Sequence, residues 1–294
     1  MDGIINVLKP VGMTSTDIVR WLRRKTKAEK AGHIGTLDPG AAGVLPVCIG
    51  KATRLAEYHS ELGKSYRAEI TLGITTDTQD AFGKEISRTT PHVSQQEFFR
   101  CLEHFAGEIE QIPPMYSAVK KNGKPLYDYA RKGLEVAREK RHVTIHRLEM
   151  VEWYDQTYPK AIFDIDCSKG TYIRTLCHDI GRELGCGGHM SFLLRLRAGK
   201  FLLETAYTLE EIENYLSHQD YCFVLNPEWG LELPEVRISS QRLKAFQNGL
   251  ATGKSMIEGD IPGEDLPVKV FCEGHFIGIG IWSNSCLCPN KVLI

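Results

Sequence analysis

Alternating apolar and polar residues predict two long strands in the first two-thirds of the chain. Between Ser65 and Leu72 apolar residues occupy every second position, which is the period of a strand with one buried face. Tyr66 falls on the apolar face of this strand. A similar alternation runs from Ala161 to Cys167. We therefore predict two half-buried strands, with Tyr66 directed towards the core.

Apolar residues three or four positions apart predict two helices. The first begins at a capping-box sequence, from Thr14 to Asp17, and carries a basic outer face. The second follows the second strand and ends before Gly185. Tyr172 and Arg174 stand where this strand passes into the helix. Functional side chains are common at such junctions, because both neighbouring elements are rigid.

The pattern changes at residues 226–234, where prolines and a glycine indicate a linker. After it, short apolar runs with frequent glycine predict a small β-barrel; these runs are Val268 to Phe271, Phe276 to Trp282 and Lys291 to Ile294. We therefore predict an α+β fold with two domains, residues 1–229 and residues 230–294.

The composition is that of an ordinary globular protein. The chain has 294 residues, of which 42% are hydrophobic and 25% charged, which argues against disorder and fibrous repeats. The first ten residues lack the features of a signal peptide, and no run approaches the roughly 20 apolar residues of a membrane span. We expect a cytoplasmic protein without a membrane partner. Cys286 and Cys288 form the one close cysteine pair and have no nearby histidine, so we expect no metal site.

A net charge of −1 hides an uneven distribution of charge. Between Lys120 and Arg147 there are nine basic and three acidic residues, whereas residues 201–236 contain no lysine or arginine. One face of the protein could therefore attract a phosphate backbone. For any single segment, a solvated basic surface remains an alternative.

A glycine-rich segment from Gly32 to Pro46 surrounds the acid Asp38, which precedes a proline. Glycines allow close approach of the backbone to a ligand, so the segment is predicted to be a shaped loop. Taken alone, Asp38 also fits an Asx-Pro turn. Likewise, Tyr66 fits a core aromatic residue and Arg174 a charge on a helix surface. Residue chemistry by itself leaves both interpretations open.

The motifs, read in order, resemble the TruB family of tRNA pseudouridine synthases, which isomerise uridine 55 in the T-arm. The matching segments are Leu8-Lys9-Pro10, Gly32 to Pro39, Lys64 to Arg67, Thr76 to Thr78, Pro113 to Ala118, Gly170 to Leu176 and Leu194-Arg195. Two positions depart from the pattern: Gly40 and Ala42 stand where many relatives carry a larger residue and a hydroxyl. Neither is a proposed chemical group.

This resemblance implies roles for individual residues. Asp38 would be the catalytic nucleophile or base, and Arg174 would pair with it. Tyr66 would stack on the target base and assist in proton removal. We expect four further residues to contact the substrate: His33, Tyr172, Leu194 and Lys9. The resemblance also implies a mixed, largely antiparallel sheet flanked by helices, followed by a small RNA-binding PUA domain.

The implied reaction moves uracil from an N1 to a C5 glycosidic bond and requires no metal or organic cofactor. Because the target atoms are inaccessible in a stacked loop, the nucleotide must be flipped out. We expect the T-arm of tRNA as partner and a monomeric protein. One alternative is a protein that remodels tRNA folding without chemistry, a role that an enzyme could also combine with catalysis. Another is the RNA-guided relative within a multi-subunit particle, which the absence of long basic extensions disfavours.

Overall fold

The computed structural model describes residues 1–60, 62–259 and 263–294. Up to residue 225, the strands of the described chain are β1 (Gly3–Lys9), β2 (Ala31–His33), β3 (Ala42–Ile49), β4 (Lys64–Leu72), β5 (Ile74–Thr76), β6 (Glu85–Arg88), β7 (Gly107–Gln111), β8 (Lys120–Lys121), β9 (Lys124–Pro125), β10 (Arg141–Tyr154), β11 (Lys160–Cys167), β12 (Gly188–Ala198), β13 (Phe201–Leu202) and β14 (Val224–Leu225). The helices of this part are α1 (Ser15–Thr26), α2 (Ala56–Ser60), α3 (Gln95–Glu103), α4 (Leu126–Ala130), α5 (Ile173–Glu183) and α6 (Leu209–Ser217). Short 3-10 turns occupy Gly50–Leu55 and Leu203–Thr205.

One mixed sheet forms the centre of this part. Its strand order is β14-β1-β3-β12-β4-β11-β10-β7, with β2 added to β3 and β13 added to β12. The pairs are antiparallel except for β12 with β3, which is parallel. Strand β12 therefore pairs with the start of β3 on one side and with β4, the strand that carries Tyr66, on the other. This position of β12 brings distant parts of the sequence to one place.

The predicted strands and helices are confirmed. Strands β4 and β11 follow the two alternating segments, and the apolar face of β4 is buried. Helix α1 starts with the predicted capping box. The Asp17 amide donates to the Thr14 hydroxyl, and the Thr14 amide donates to the Asp17 carboxylate. Helix α5 covers β12 and β4 with its apolar face. Among the described helices, none has the length and hydrophobicity needed to span a bilayer.

The tail forms a second, barrel-like sheet. Its elements are β15 (Glu235–Ile238), α7 (Ser240–Gln247), β16 (Thr252–Gly253), a 3-10 turn at Lys254–Met256, β17 (Ile257–Glu258), β18 (Pro267–Cys272), β19 (His275–Ser283) and β20 (Cys286–Val292). The strand order is β16-β20-β19-β18-β15-β17. Strand β20 begins earlier than the run predicted from Lys291, because Leu287 points into the tail's own core and residues from Cys286 onward pair with β19. Residues 226–234, predicted as a linker, contain neither helix nor strand.

The two sheets contact each other through a small apolar cluster, which we call the junction cluster. Its buried members are Leu55, Leu231, Ile279 and Leu293. Polar contacts surround it: Lys291 Nζ lies 2.8 Å from Glu57 Oε1, and the Tyr58 hydroxyl donates to Asn290 Oδ1 at 2.9 Å. The tail is therefore packed against the turn that follows β3.

Candidate active site

A cavity of about 430 Å³ opens beside the loop between β2 and β3. Its lining includes Asp38 from this loop, Tyr66 from β4, and Tyr172 and Arg174 from the start of α5. The rest of the lining consists of Gly35 to Leu37, Ser60, Lys64, Tyr116 to Ala118, Tyr127, Lys169 to Thr171, Ile173 and Leu193. Four of the predicted residues, from three distant parts of the sequence, thus meet in one place because β12 holds β3 and β4 together.

The Asp38 carboxylate is paired with the Arg174 guanidinium. Arg174 Nε lies 2.8 Å from Asp38 Oδ2, and Arg174 Nη2 donates to Asp38 Oδ1 at 3.4 Å. The arginine side chain is 6% exposed and that of Asp38 is 34% exposed. Two-point pairing fixes the plane of the carboxylate. Asp38 therefore presents an oriented acid to the cavity while its partner stays buried.

Arg174 is itself held by three further oxygens. Its Nη1 donates to the Thr78 carbonyl at 3.1 Å, and its Nη2 donates to the Tyr116 carbonyl at 2.9 Å. Asp80 Oδ2 lies 3.8 Å from Nη1. A buried guanidinium needs partners for its donors, and these contacts supply them. The arginine is a fixed part of the wall.

Tyr66 lies on the buried face of β4 and also reaches the cavity. Burial raises the pKa of its phenol to about 12, although the nearby Arg195 acts in the opposite direction. The hydroxyl is therefore protonated at neutral pH. Tyr66 offers the cavity an uncharged aromatic ring whose hydroxyl interacts with Arg195.

Arg195 is fully buried and binds the Asp38 loop through main-chain oxygens. Its Nε donates to the Val44 carbonyl at 2.6 Å, and its two terminal nitrogens donate to the carbonyls of Gly35 and Thr36 at 3.2 and 3.3 Å. From the opposite side, Ser15 Oγ donates to the Leu37 carbonyl at 2.9 Å and accepts from the Leu37 amide at 2.8 Å. The loop around Asp38 is thus fixed before any ligand binds.

Comparisons with known proteins decide the family. Residues 23–173 match the family described as TruB family pseudouridylate synthase (N terminal domain), and residues 174–225 match the tRNA pseudouridylate synthase B C-terminal domain. A protein named tRNA pseudouridine synthase B from Symbiobacterium thermophilum is 49% identical over 85% of this chain and 83% of that protein. The chain belongs to the TruB family of pseudouridylate synthases.

Further similarities agree with this membership. A protein of the same name from Alkaliphilus oremlandii is 45% identical over 97% of this chain and 94% of that protein. The crystal structure of a Cbf5-Nop10-Gar1 complex contains a chain with a TM-score of 0.76 and 28% identity, covering 99% of this chain and 85% of that one. The predicted fold class is confirmed, namely a mixed sheet with helices and a PUA-like barrel at the end of the chain. As a TruB-family member the chain is an enzyme, an isomerase that forms pseudouridine.

Lys9 does not line the cavity of this TruB-family chain, contrary to the contact expected for it. Its side chain is fully buried, and its ammonium donates to the carbonyls of Pro10 and Ala41 at 2.8 Å and of Pro39 at 3.5 Å. Burial lowers the pKa of Lys9 to about 8, while the nearby Asp38 opposes this effect. Lys9 therefore acts on the Asp38 loop from within the protein.

Leu194 and His33 are also absent from the cavity wall. Leu194 pairs with Arg67, on the face of β4 opposite to Tyr66, and Leu193 lines the cavity in its place. His33 lies in β2, where burial lowers its pKa and its Nδ1 has no hydrogen-bond partner in the described chain. Neither residue lines the cavity, so the substrate contacts expected of His33 and Leu194 stay predictions.

Tyr172 does line the cavity, and a residue that the sequence did not point to holds it there. The buried Gln111 accepts from the Tyr172 amide at 3.0 Å and donates to its carbonyl at 3.2 Å. Sequence reasoning also missed the roles of Arg195 and Asp80. Arg195 and Asp80 lie in or beside matched motifs, which was a usable signal, whereas nothing marked Gln111.

Within the part of the chain that the structure describes, no group of three or more His, Cys, Asp or Glu side chains is arranged to hold a metal ion. The cavity wall instead combines one acid, three basic groups and several aromatic rings. Such a set can bind a planar base and act on it by acid–base or nucleophilic chemistry. That the reaction needs no cofactor stays a prediction.

Proposed function

We propose that the protein converts uridine 55 in the T-arm of tRNA to pseudouridine, with Asp38 as the catalytic nucleophile or base. The observation that carries the proposal is the Asp38 carboxylate, held at two points by the buried Arg174 at the wall of a cavity that also contains Tyr66. The names of the relatives, tRNA pseudouridine synthase B, support tRNA as the substrate.

The proposed reaction conserves every atom of the nucleotide. The bond between uracil N1 and ribose C1′ breaks, a bond between C5 and C1′ forms, C5 loses a proton and N1 gains one. Asp38 would assist the break by adding to the base or ribose, or by removing a proton. Tyr66 would stack on the detached base and prevent its loss to water.

The basic segment from Lys120 to Arg147 is proposed to hold the RNA backbone. Most of its basic side chains are exposed, and the segment reaches the cavity through Tyr127. Arg131 lies with its guanidinium 5.2 Å from the centre of the Tyr127 ring. Phosphate contacts of this kind position an RNA without reading its sequence. We further propose that residues 1–229 perform the chemistry and that residues 230–294 bind RNA.

Asp38→Asn tests the chemical role. The amide keeps the size and the hydrogen-bonding ability of the side chain but cannot act as a nucleophile or base, so we expect pseudouridine formation to fall by at least about 10³-fold. Mass-spectrometric mapping of tRNA after incubation with each protein gives the readout. Binding of a T-arm stem-loop, measured by fluorescence anisotropy, should change by less than about tenfold.

Two controls define the outcome. A tRNA with cytidine at position 55 should yield no product with the unmodified protein, which tests the site of modification. Glu103→Gln, at an exposed position in α3, should retain full activity. Full activity of Asp38→Asn would contradict the assignment of Asp38, and product at another uridine alone would contradict the assignment of position 55.

A second role, in tRNA folding, is compatible with the first. The basic segment offers RNA contacts that do not involve Asp38 or Arg174, so binding and chemistry are separable. Asp38→Asn should then accelerate refolding of a misfolded tRNA as well as the unmodified protein does. We propose that both roles belong to a monomeric, cytoplasmic protein.

A further inference from the structure

Phe82 is an aromatic side chain that faces solvent next to the catalytic loop. It is 71% exposed, and it lies in the turn that joins β5 to β6. It does not line the cavity. A single exposed apolar residue needs no explanation by itself. The surroundings of Phe82 are what distinguish it.

The turn that carries Phe82 is held by hydrogen bonds and contacts Arg174, which lines the cavity. Asp80 Oδ1 accepts from the Phe82 amide at 3.0 Å and from the Thr78 hydroxyl at 2.6 Å. The other carboxylate oxygen of Asp80 lies 3.8 Å from Arg174. The Ala81 amide donates to the Met190 carbonyl at 3.0 Å, which ties the turn to β12. One carboxylate thus orients both the partner of Asp38 and the backbone of Phe82.

The ring of Phe82 packs directly on Gly40, two residues beyond Asp38. A methyl group built on Gly40 would lie 2.1 Å from Phe82 Cε2 and 2.6 Å from Cδ2. The absence of a side chain at Gly40 is therefore what allows the ring to rest against the catalytic loop. Gly40 is also one of the two positions at which the sequence departs from the family pattern. Phe82 and Gly40 thus pack against each other beside Asp38, and we call them the Phe82–Gly40 pair.

We propose that Phe82 stacks against a nucleobase adjacent to the target uridine and so helps to hold the RNA in its flipped state. This inference rests on the proposed function. Flipping breaks the stack on both sides of the target, which leaves neighbouring bases with an uncovered face. An exposed aromatic ring can cover such a face without reading its sequence.

The chemistry around Phe82 favours a base over a phosphate group. The turn between β5 and β6 contains Asp77, Asp80 and Lys84, so its formal charge of −1 gives no net attraction for an anion. The lining of the cavity includes Gly35 to Asp38 but neither Gly40 nor Phe82, and the cavity is proposed to hold the target nucleoside. A ring outside this cavity, beside the same loop, is therefore placed for a neighbouring base.

The proposal is tested with a T-arm stem-loop RNA as substrate. Phe82→Ala should raise KM about tenfold and change kcat by less than about threefold, because stacking supports binding and not the bond exchange. Phe82→Trp, which keeps an aromatic face, should retain a KM near that of the unmodified protein. Ile86→Ala is the matched control, since Ile86 is 68% exposed on the same hairpin but lies outside the Phe82–Gly40 pair. Its KM should not change.

Gly40→Ala tests the contact from the other side. Gly40 has no positive φ, so an alanine there is not strained by its backbone and acts by displacing the ring. We expect a higher KM for Gly40→Ala alone and no additional increase when it is combined with Phe82→Ala. Thermal unfolding of each variant shows whether it folds.

An abasic nucleotide placed on either side of the target uridine identifies the stacked base. Loss of that base should weaken binding to the unmodified protein about tenfold and should have little effect on Phe82→Ala. Equal losses for both proteins at both positions would overturn the proposal, as would an unchanged KM for Phe82→Ala. Absence of pseudouridine with the unmodified protein would instead contradict the proposed function.

Discussion

Lys9 and Arg195 carry positive charge deep inside the protein and use it to bind main-chain oxygens of one loop. Lys9 reaches the loop from β1 and Arg195 reaches it from β12. Neither has a carboxylate at salt-bridge distance in the described chain, although Asp38 acts on Lys9 electrostatically. Buried charges need compensating partners, and the loop carbonyls supply them here. The position of Asp38 therefore depends on two cations that do not line the cavity.

The titration of Lys9 leads to a prediction about pH. Burial lowers the pKa of Lys9 from 10.5 to about 8, so between these values the unfolded chain holds a proton that the folded chain has released. The free energy of unfolding therefore rises with pH through this window, and below it the full cost of burying the ammonium is present. Relative to Lys9→Met, the unmodified protein should gain on the order of 1–2 kcal/mol between pH 8 and pH 10.

Urea unfolding of both proteins at several pH values measures this difference. Lys254→Met serves as the control for loss of an exposed lysine. A difference between the unmodified protein and Lys9→Met that stays constant across the window would show that Lys9 does not titrate there.

At the scale of single residues, the sequence predicted the pairing of Asp38 with Arg174 only through the resemblance to a family. Their separation of 136 positions exceeds anything that local spacing can relate. The burial of Lys9 was not predictable, because a lysine is normally exposed and its carbonyl partners carry no sequence signal. The same applies to Gln111, which binds only backbone atoms of Tyr172.

At the scale of elements, the predictions that rested on hydrophobic periodicity are confirmed. Each predicted strand or helix buries one apolar face, and this burial sets the period. The contact of Leu194 with the cavity was expected from the resemblance to the family, whereas Leu193 lines the cavity. Strand β12 changes register against β4 between Met190 and Phe192 and again between Arg195 and Arg197. Each irregularity reverses the alternation of faces, so strand periodicity alone does not give the two faces of β12.

The pairing of β12 with β3 requires a glycine at position 43. Gly43 has φ +114°, and a methyl group there would lie 2.3 Å from the Arg195 carbonyl oxygen. Gly43→Ala combines backbone strain with a clash against backbone, so it should lower the free energy of unfolding by about 3 kcal/mol or more. Because the same change moves Arg195, activity should fall as well.

Gly123→Ala is the matched control for this substitution. Gly123 also has a positive φ, +77°, but no atom lies within 4 Å of the added methyl group. We expect it to cost about 1–2 kcal/mol, the contribution of backbone strain alone. Equal losses in urea unfolding for the two variants would argue against a clash at Gly43.

At the scale of the whole molecule, the junction cluster connects the catalytic sheet to the tail. Leu55 is fully buried among residues of the linker and the tail. Its removal should therefore loosen the two parts from each other. Residues 226–234, predicted as a linker, lie between β14 of the first sheet and β15 of the second. The sequence offered no indication of the junction cluster, because its four apolar residues come from separate regions of the chain.

Leu55→Ala tests the connection. Loss of a buried leucine typically costs about 2–5 kcal/mol, and here the loss falls on the contact between the two parts. We expect faster protease cleavage within residues 226–234, with little change in the conversion of a short stem-loop. Leu287→Ala, which opens a cavity inside the tail's own core, is the comparison variant. A cleavage rate equal to that of the unmodified protein would mean that the cluster does not restrain the linker.

Lys9, Ser15 and Arg195 hold the Asp38 loop by donating hydrogen bonds to main-chain carbonyl oxygens. This arrangement affects where mutations can displace Asp38. Every amino acid supplies the same carbonyl oxygen, so a new side chain at a carbonyl-bound position does not by itself remove the contact. The donors have no such freedom, because each bond comes from the side chain itself. Mutations that displace Asp38 are therefore expected at Lys9, Ser15 and Arg195, which all lie outside the loop that they hold.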